Sequence, residues 1–169
     1  MVVNTMDYVT IASTGDATDF GDILAANRFL GGNVNSETRG IFGGGNSSNV
    51  IQYITIASAG NSTDFGDLSG TAGGNSGCSN LTRGLFHQGS SVTIDYITIA
   101  SAGNSTDFGD LTETKYDACG LASETRGVFA CGNSFSDVIE YTTIDSAGNS
   151  TDFGNSTLAR AGLAGLSGG

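Results

Sequence analysis

Short runs of β-branched and aromatic residues recur along the chain, separated by Gly, Asn and Ser. The run at 50–58, VIQYITIAS, places Ile51 and Tyr53 on one face and Ile54 and Ile56 on the other. Alternation with a period of two predicts a β-strand, and apolar residues on both faces predict a strand that is covered on both sides. The runs lack the 3.6-residue apolar period of an amphipathic helix, so the pattern predicts an all-β fold.

A repeat organises these runs. The motif Tyr-x-Thr-Ile begins at Tyr8, Tyr53, Tyr96 and Tyr141, in steps of 45, 43 and 45 residues. Asp-Phe-Gly follows each copy with the same steps, at Phe20, Phe65, Phe108 and Phe153. Thr-Arg-Gly-x-Phe occurs three times, at Arg39, Arg83 and Arg126. A repeat of this length, rich in Gly, Thr and Ile, is typical of β-propeller blades of four short antiparallel strands rather than of a helical solenoid.

Each repeat contains four candidate strands. The first is Gly-rich, as at 39–44, and we expect it to lie nearest the propeller axis, where sheets crowd together. The second is the run at 50–58, and a Gly-Asn turn leads to the third at 63–68. A segment of small residues, as at 116–122, is the predicted fourth strand.

These units predict one domain over 1–169. Its repeats span approximately 1–37 (partial), 38–81, 82–124 and 125–169. The chain opens on a second strand and ends after a fourth, so we expect three whole blades and one blade split between the termini that lacks about one strand.

Three arrangements would accommodate the incomplete blade. The ring could have four blades with a gap, two or more chains could share a larger ring, or a partner could supply the missing strand by β-augmentation. Because an unfilled gap leaves exposed strand edges, which proteins usually avoid, we expect association with another chain.

Composition limits the partners. The net charge of −11 argues against nucleic acid and against an anionic membrane surface, since both require clustered Lys and Arg. The sequence contains no signal-peptide pattern and no apolar stretch long enough for a transmembrane span. Three cysteines without metal-ligand spacing predict buried thiols, and we expect no cofactor.

At this point the motifs resemble a known family. Arg-Gly-x-Phe-Gly-Gly, Val-Ile-x-Tyr and Asp-Phe-Gly-Asp-Leu, in that order, resemble the kelch-like β-propeller repeat. The phenylalanines of Asp-Phe-Gly stand where kelch repeats usually have Trp. The stretch YITIASAGNSTDFGDL is similar to kelch-like repeats in tail and virion proteins of marine bacteriophages, and the resemblance covers nearly the whole chain.

The resemblance implies a non-enzymatic virion protein that decorates the particle or mediates attachment as part of a tail fibre. It would be assembled in the host cytoplasm and would contact other virion proteins, copies of itself at the incomplete blade, or a host-surface glycan. The alternatives are a cellular carbohydrate- or protein-binding propeller and a hydrolase of the sialidase type.

The repeated charged residues allow two interpretations each. Asn61, Asp64 and Asp67, with counterparts that include Asp107, could form a calcium loop. Their spacing of i, i+3 and i+6 differs from the alternate positions of an EF-hand and favours turn-stabilising hydrogen bonds. Arg39, Arg83 and Arg126 could form a carboxylate-binding cluster, but one Arg per repeat beside one Asp favours a structural ion pair. We therefore assign structural roles to these residues and to the four phenylalanines of Asp-Phe-Gly.

Residues that vary between repeats are the better candidates for ligand contact, because loops carry function on a rigid scaffold. They include the single histidine and three aromatic residues. The predicted ligand-binding residues are Phe29, His87, Tyr116 and Phe135. No catalytic or metal-binding residue is predicted.

Overall fold

A computed structural model describes residues 3–28, 30–45, 47–132 and 136–167. Within these ranges the regular structure consists of β-strands in four antiparallel sheets, which confirms the all-β prediction. The same ranges contain no helix with the length and apolar character needed to cross a membrane.

The sheets follow one another along the chain. Sheet I has two strands, β1 (Thr5–Tyr8) and β2 (Thr18–Asp22). Sheet II has β3 (Gly32–Asn35), β4 (Arg39–Gly43), β5 (Ser48–Thr55) and β6 (Thr63–Ala72). Sheet III has β7 (Ser76–Ser79), β8 (Arg83–His87), β9 (Thr93–Thr98) and β10 (Thr106–Asp110). Sheet IV has β11 (Cys119–Ala122), β12 (Arg126–Ala130), β13 (Val138–Thr143) and β14 (Thr151–Asn155).

Each four-stranded sheet is a meander in which every strand pairs with the next one in sequence. The small-residue strand was assigned to the wrong sheet from the sequence: it opens a sheet instead of ending one. Cys119–Ala122 pairs with Arg126–Ala130, in register from Cys119 opposite Ala130 to Ala122 opposite Gly127. The Arg-Gly-x-Phe strand is therefore the second strand of its sheet, so the predicted repeat boundaries are out of phase with the sheets.

The first strands bring neighbouring sheets together. Contacts join β3 to β7 and β7 to β11. A Cβ atom at Gly120 would lie 2.2 Å from the carbonyl oxygen of Gly77, and one at Gly77 would lie 2.9 Å from the backbone of Asn33. The crowding expected for the Arg-Gly-x-Phe strand thus belongs to the small-residue strand, where missing side chains let the backbones approach.

Two apolar clusters fill the spaces between the four-stranded sheets. Between sheets II and III, Ile41, Ile51 and Phe65 pack against Phe86 and Ile99. The second cluster repeats this arrangement between sheets III and IV with Leu85, Ile94, Phe108, Phe129 and Ile144. In sheet III both faces of the second and third strands are covered in this way. In the run at 50–58, for which cover on both sides was predicted, Ile51 is buried, but Ile56 on the other face is 46% exposed.

A β-bulge fixes the Asp-Phe-Gly motif at the outer edge of each sheet. In sheet III the register passes from Asp107 opposite Asp95 directly to Gly109 opposite Ile94, so Phe108 is the extra residue. Gly109 has φ +144°, a conformation that residues with side chains rarely adopt. The bulge turns the Phe side chain into the space between the sheets.

Candidate functional site

Arg, Tyr and Phe of the three motifs form one stack in each four-stranded sheet. The guanidinium carbon of Arg83 lies 4.6 Å from the centroid of the Tyr96 ring, and Tyr96 meets Phe108 edge to face at 6.0 Å. Sheets II and IV repeat the stack. Their members are Arg39, Tyr53 and Phe65, and Arg126, Tyr141 and Phe153.

The arginines also reach the neighbouring sheet. Nη1 of Arg39 donates to the carbonyl oxygen of Ile99 at 2.8 Å, and Nη1 of Arg83 donates to that of Ile144 at 2.9 Å. The predicted ion pair with Asp is wrong: within the described ranges the salt bridges involve Lys115 with Glu113 and Glu140, not these arginines. The guanidinium groups of Arg39 and Arg83 are thus engaged at two separate junctions, which is a structural role.

The Gly-Asn turn of each sheet binds the outer edge of the preceding sheet. The Gly103 amide donates to the carbonyl oxygen of Phe65 at 2.7 Å, while Oδ1 of Asn104 accepts from the Asp67 amide at 3.1 Å. Gly60 and Gly148 make the same bond to Phe20 and Phe108. These turns explain the recurrent Asn-Ser-Thr sequence without glycosylation or a cation loop.

The glycine of Asp-Phe-Gly lets this turn approach. A Cβ atom at Gly66 would lie 2.4 Å from the carbonyl oxygen of Gly103, and one at Gly109 would lie 2.5 Å from Gly148. The turn-stabilising role predicted for the aspartates is seen at Asp19 and Asp152, whose Oδ1 atoms accept from the amide two residues later. Asp64 and Asp107 occupy the same strand position with exposed side chains.

In each four-stranded sheet, a buried hydrogen-bond acceptor precedes the Tyr and completes the junction. The sequence analysis did not identify it. Asp95 is fully buried and accepts from the amide and hydroxyl of Ser69, both at 2.8 Å. Gln52 accepts from the Leu24 amide at 2.9 Å, and Glu140 accepts from the Thr112 amide at 3.1 Å. The signal was a polar residue at one repeat position inside an otherwise apolar strand.

We call this set of contacts the inter-sheet joint: the turn glycine amide, the turn Asn side chain, the Arg guanidinium and the buried acceptor. All four contacts link sheets II and III and sheets III and IV. Sheet I, whose two strands include no counterpart of Arg39, joins sheet II through the other three.

Lys115, next to the ligand-binding candidate Tyr116, lies inside the protein. Its Nζ is 2.8 Å from Oε1 of Glu113 and 3.8 Å from Oε1 of Glu140, and both Lys115 and Glu140 are fully buried. Nζ also donates to the carbonyl oxygen of Val138 at 3.2 Å. Burial alone would raise the pKa of Glu113, but hydrogen bonds from Lys115 and Ser136 outweigh it and lower that pKa.

His87 does not lie on an exposed loop and is unavailable to a ligand from solvent. Its side chain is fully buried, with Nε2 2.9 Å from the carbonyl oxygen of Ser91 and its ring against Phe129. Burial lowers its pKa to about 4, so the imidazole is neutral at neutral pH. This is the environment of a packed core residue.

Of the three aromatic ligand-binding candidates, Tyr116 lies among the described residues. Tyr116 is half-buried, and its ring lies where a side chain on Gly74 would be, with a Cβ there only 2.8 Å away. Phe29 and Phe135 lie outside the described residues, so their assignment stays a prediction.

The cavities beside the sheets include two whose linings differ in character. A groove of about 620 Å³ separates sheets I and II, and its apolar lining includes Tyr8, Phe20, Phe42 and Ile54. The other cavity, of about 300 Å³, is lined by the first strands and by residues 163–165. The latter lining is mostly backbone and small side chains, with the hydroxyl of Ser76 and the thiol of Cys119 among its polar groups.

The cysteines are free and buried. Burial raises the pKa of Cys78 to about 12, and the pKa of Cys119 is raised by burial and by the nearby Cys131. Thiols held in this way are poor nucleophiles, because the thiolate is the reactive form. Among the described residues, no group of three or more His, Cys, Asp or Glu could hold a metal ion.

Comparison with models of known families and with curated proteins found no match to this sequence. The functional interpretation therefore depends on the repeat, the joints and the surfaces that they leave open.

Proposed function

We propose that this chain is a non-enzymatic structural protein of a bacteriophage particle, built on a kelch-like β-propeller that decorates the particle or takes part in attachment. The proposal depends mainly on one observation, namely that repeated polar side chains form hydrogen bonds between neighbouring sheets. Arg39, Arg83, Asn104 and Asn149 all serve to join one sheet to the next. A protein whose repeated polar groups are used in this way is a scaffold, with binding left to its non-repeated surface.

The propeller arrangement is supported by the way the sheets adjoin. Consecutive meanders contact through their first strands, and the outer edge of each is bound by a turn of the next. Gly165 lies where the next first strand of the series would be: a Cβ there would be 2.8 Å from the carbonyl oxygen of Gly120. Sheets repeated about a common cavity fit a radial architecture.

A non-enzymatic role is favoured by the state of the candidate catalytic groups. A sialidase-type site would use arginines free to bind a carboxylate, whereas Arg39 and Arg83 donate to backbone carbonyl groups of the neighbouring sheet. The one histidine is buried and neutral at neutral pH. The alternative of a cellular glycan-binding propeller has no observation of its own in the structure.

Mass spectrometry of density-banded phage particles from the source sample tests the virion role. The tryptic peptide at 116–126 should band with the capsid proteins and remain after a salt wash, while peptides of phage replication enzymes, as the control, should not. If the peptide stays in the soluble fraction, the virion role is wrong, and binding of the free protein on a glycan array becomes the relevant test.

A further inference from the structure

Sheet IV presents one half of an inter-sheet joint to which no other described residue binds. Phe153 is 56% exposed, whereas Phe65 and Phe108 at the same repeat position are 3% and 2% exposed. The space beside Gly154 is empty to 4 Å, although the turn backbone fills it beside Gly66 and Gly109. We call this surface the acceptor face.

The acceptor face keeps every group that the preceding sheet contributes to a joint. Arg126 stacks on Tyr141 at 4.5 Å, as Arg39 and Arg83 stack on their own tyrosines. Thr157 follows β14 at the position of Ser69 and Thr112, whose amides and hydroxyls bind the buried acceptors. The amide of Asn155 corresponds to those of Asp67 and Asp110, which donate to a turn Asn.

Sheet I presents the other half of the joint. Ile11 is 99% exposed, whereas its counterparts Ile99 and Ile144, each covered by a preceding four-stranded sheet, are 1% and 0% exposed. The counterpart Ile56, which follows the two-stranded sheet I, is 46% exposed. Val9, on the same face, is 58% exposed. We call this surface the donor face.

The donor face also keeps the polar groups of the joint. Gly15 is the counterpart of the turn glycine, and Asp16 replaces the turn Asn with a side chain that can still accept from an amide. Asp7 occupies the position of the buried acceptors Gln52, Asp95 and Glu140, but it is exposed.

We propose that the acceptor face of one copy binds the donor face of a second copy, head to tail, by forming a further inter-sheet joint. Arg126 would donate to the carbonyl oxygen of the second copy's Ile11, and the Gly15 amide would donate to that of Phe153. Thr157 would donate to Asp7, and Ile11 would cover the Tyr141–Phe153 pair. The proposal goes beyond the virion role and does not depend on it.

A second copy is the favoured occupant because the match is specific group by group. The chain already forms the complete joint twice, between sheets II and III and between sheets III and IV. The Arg126 guanidinium and the Thr157 amide and hydroxyl on the acceptor face find hydrogen-bond acceptors in Ile11 and Asp7 of the donor face. In the other direction, the Gly15 amide of the donor face finds the carbonyl oxygen of Phe153. Since the two faces differ, the contact is heterologous and produces a ring of copies or an open chain.

Light scattering coupled to size exclusion, over a range of protein concentrations, tests the proposal. The native chain should exceed the single-chain mass of 17.0 kDa increasingly as concentration rises. Ile11→Lys should weaken association about tenfold or more by placing a charge in the covered face. Lys makes the chain less acidic, so loss of association could not come from added charge repulsion.

Leu81→Lys is the matched control, since Leu81 is 62% exposed on the turn between β7 and β8, outside both faces. It should associate like the native chain. Circular dichroism should show the same β-sheet signal for every variant, because both changes replace exposed side chains.

A mixing experiment tests the head-to-tail geometry. Ile11→Lys retains a native acceptor face and Phe153→Lys retains a native donor face. At a concentration at which each variant alone is monomeric, their mixture should form a species of two copies and no larger. A native chain of single-chain mass at every concentration would overturn the proposal. So would native association without pairing in the mixture, or equal loss of association in Leu81→Lys.

Discussion

Arg83→Ala should lower the free energy of unfolding by about 2–4 kcal/mol, because it removes two interactions at one joint. The first is the stacking of the guanidinium on Tyr96 at 4.6 Å, worth about 0.5–1 kcal/mol. The second is the hydrogen bond to the carbonyl oxygen of Ile144 at 2.9 Å, worth about 1.5–3 kcal/mol for a charged donor. Ile144 is fully buried, so this oxygen has little access to a replacement water.

Arg126→Ala provides a control from the same repeat position. Arg126 stacks on Tyr141 at 4.5 Å, and because sheet IV is the last sheet among the described residues, no described sheet accepts the second interaction. Its removal should therefore lower the free energy of unfolding by only about 0.5–1 kcal/mol. Urea unfolding of dilute protein, in which the proposed head-to-tail contact does not form, measures both values. Equal losses for the two variants would refute the claim that the arginine stabilises the joint through the neighbouring sheet.

Three further outcomes follow from burial. Phe108→Ala should cost about 3–5 kcal/mol of stability and Phe153→Ala less than about 1 kcal/mol in the same urea assay; similar costs would contradict the open acceptor face. Burial lowers the pKa of His87 to about 4, compared with about 6.5 in the unfolded chain. The neutral imidazole therefore stabilises the fold fully above about pH 6.5, and the free energy of unfolding should fall by about 3 kcal/mol as the pH falls to about 4. In His87→Gln, the free energy of unfolding measured with urea should no longer fall between about pH 6.5 and pH 4. If it falls as in the native chain, another group is responsible for the pH dependence. Cys78, with its pKa raised to about 12, should react with a thiol reagent only after unfolding, and rapid labelling of the native chain would contradict its burial.

The sequence predicted the strands and the repeat well, because both depend on local patterns. Alternation in 50–58 identifies a strand without knowledge of its neighbours, and recurrence of Asp-Phe-Gly marks the unit. The sheet to which the small-residue strand belongs was predicted wrongly. Strand pairing is a non-local choice, and the pattern of Cys119–Ala122 fits either the preceding or the following sheet.

The site residues were harder to predict because their roles depend on tertiary contacts. Lys115 is polar and variable between repeats, which suggests a loop, yet it is buried beside Glu140. Arg39 and Arg83 donate to backbone carbonyl groups of the neighbouring sheet rather than to the predicted Asp, and a backbone carbonyl group leaves no trace in the sequence. The buried acceptor was overlooked because its residue type changes between Gln52, Asp95 and Glu140.

Amide hydrogen exchange of the turn glycines, followed by NMR in dilute protein, tests most directly whether the repeats act as joints between sheets. Gly60, Gly103 and Gly148 lie on exposed turns, and each donates to a carbonyl oxygen of the preceding sheet at 2.7 Å. We predict slow exchange for these three amides and fast exchange for Gly15, which occupies the same turn in sheet I, the first sheet of the described residues. Exchange of all three as fast as that of Gly15 would contradict the joints, and with them the basis for the proposed scaffold.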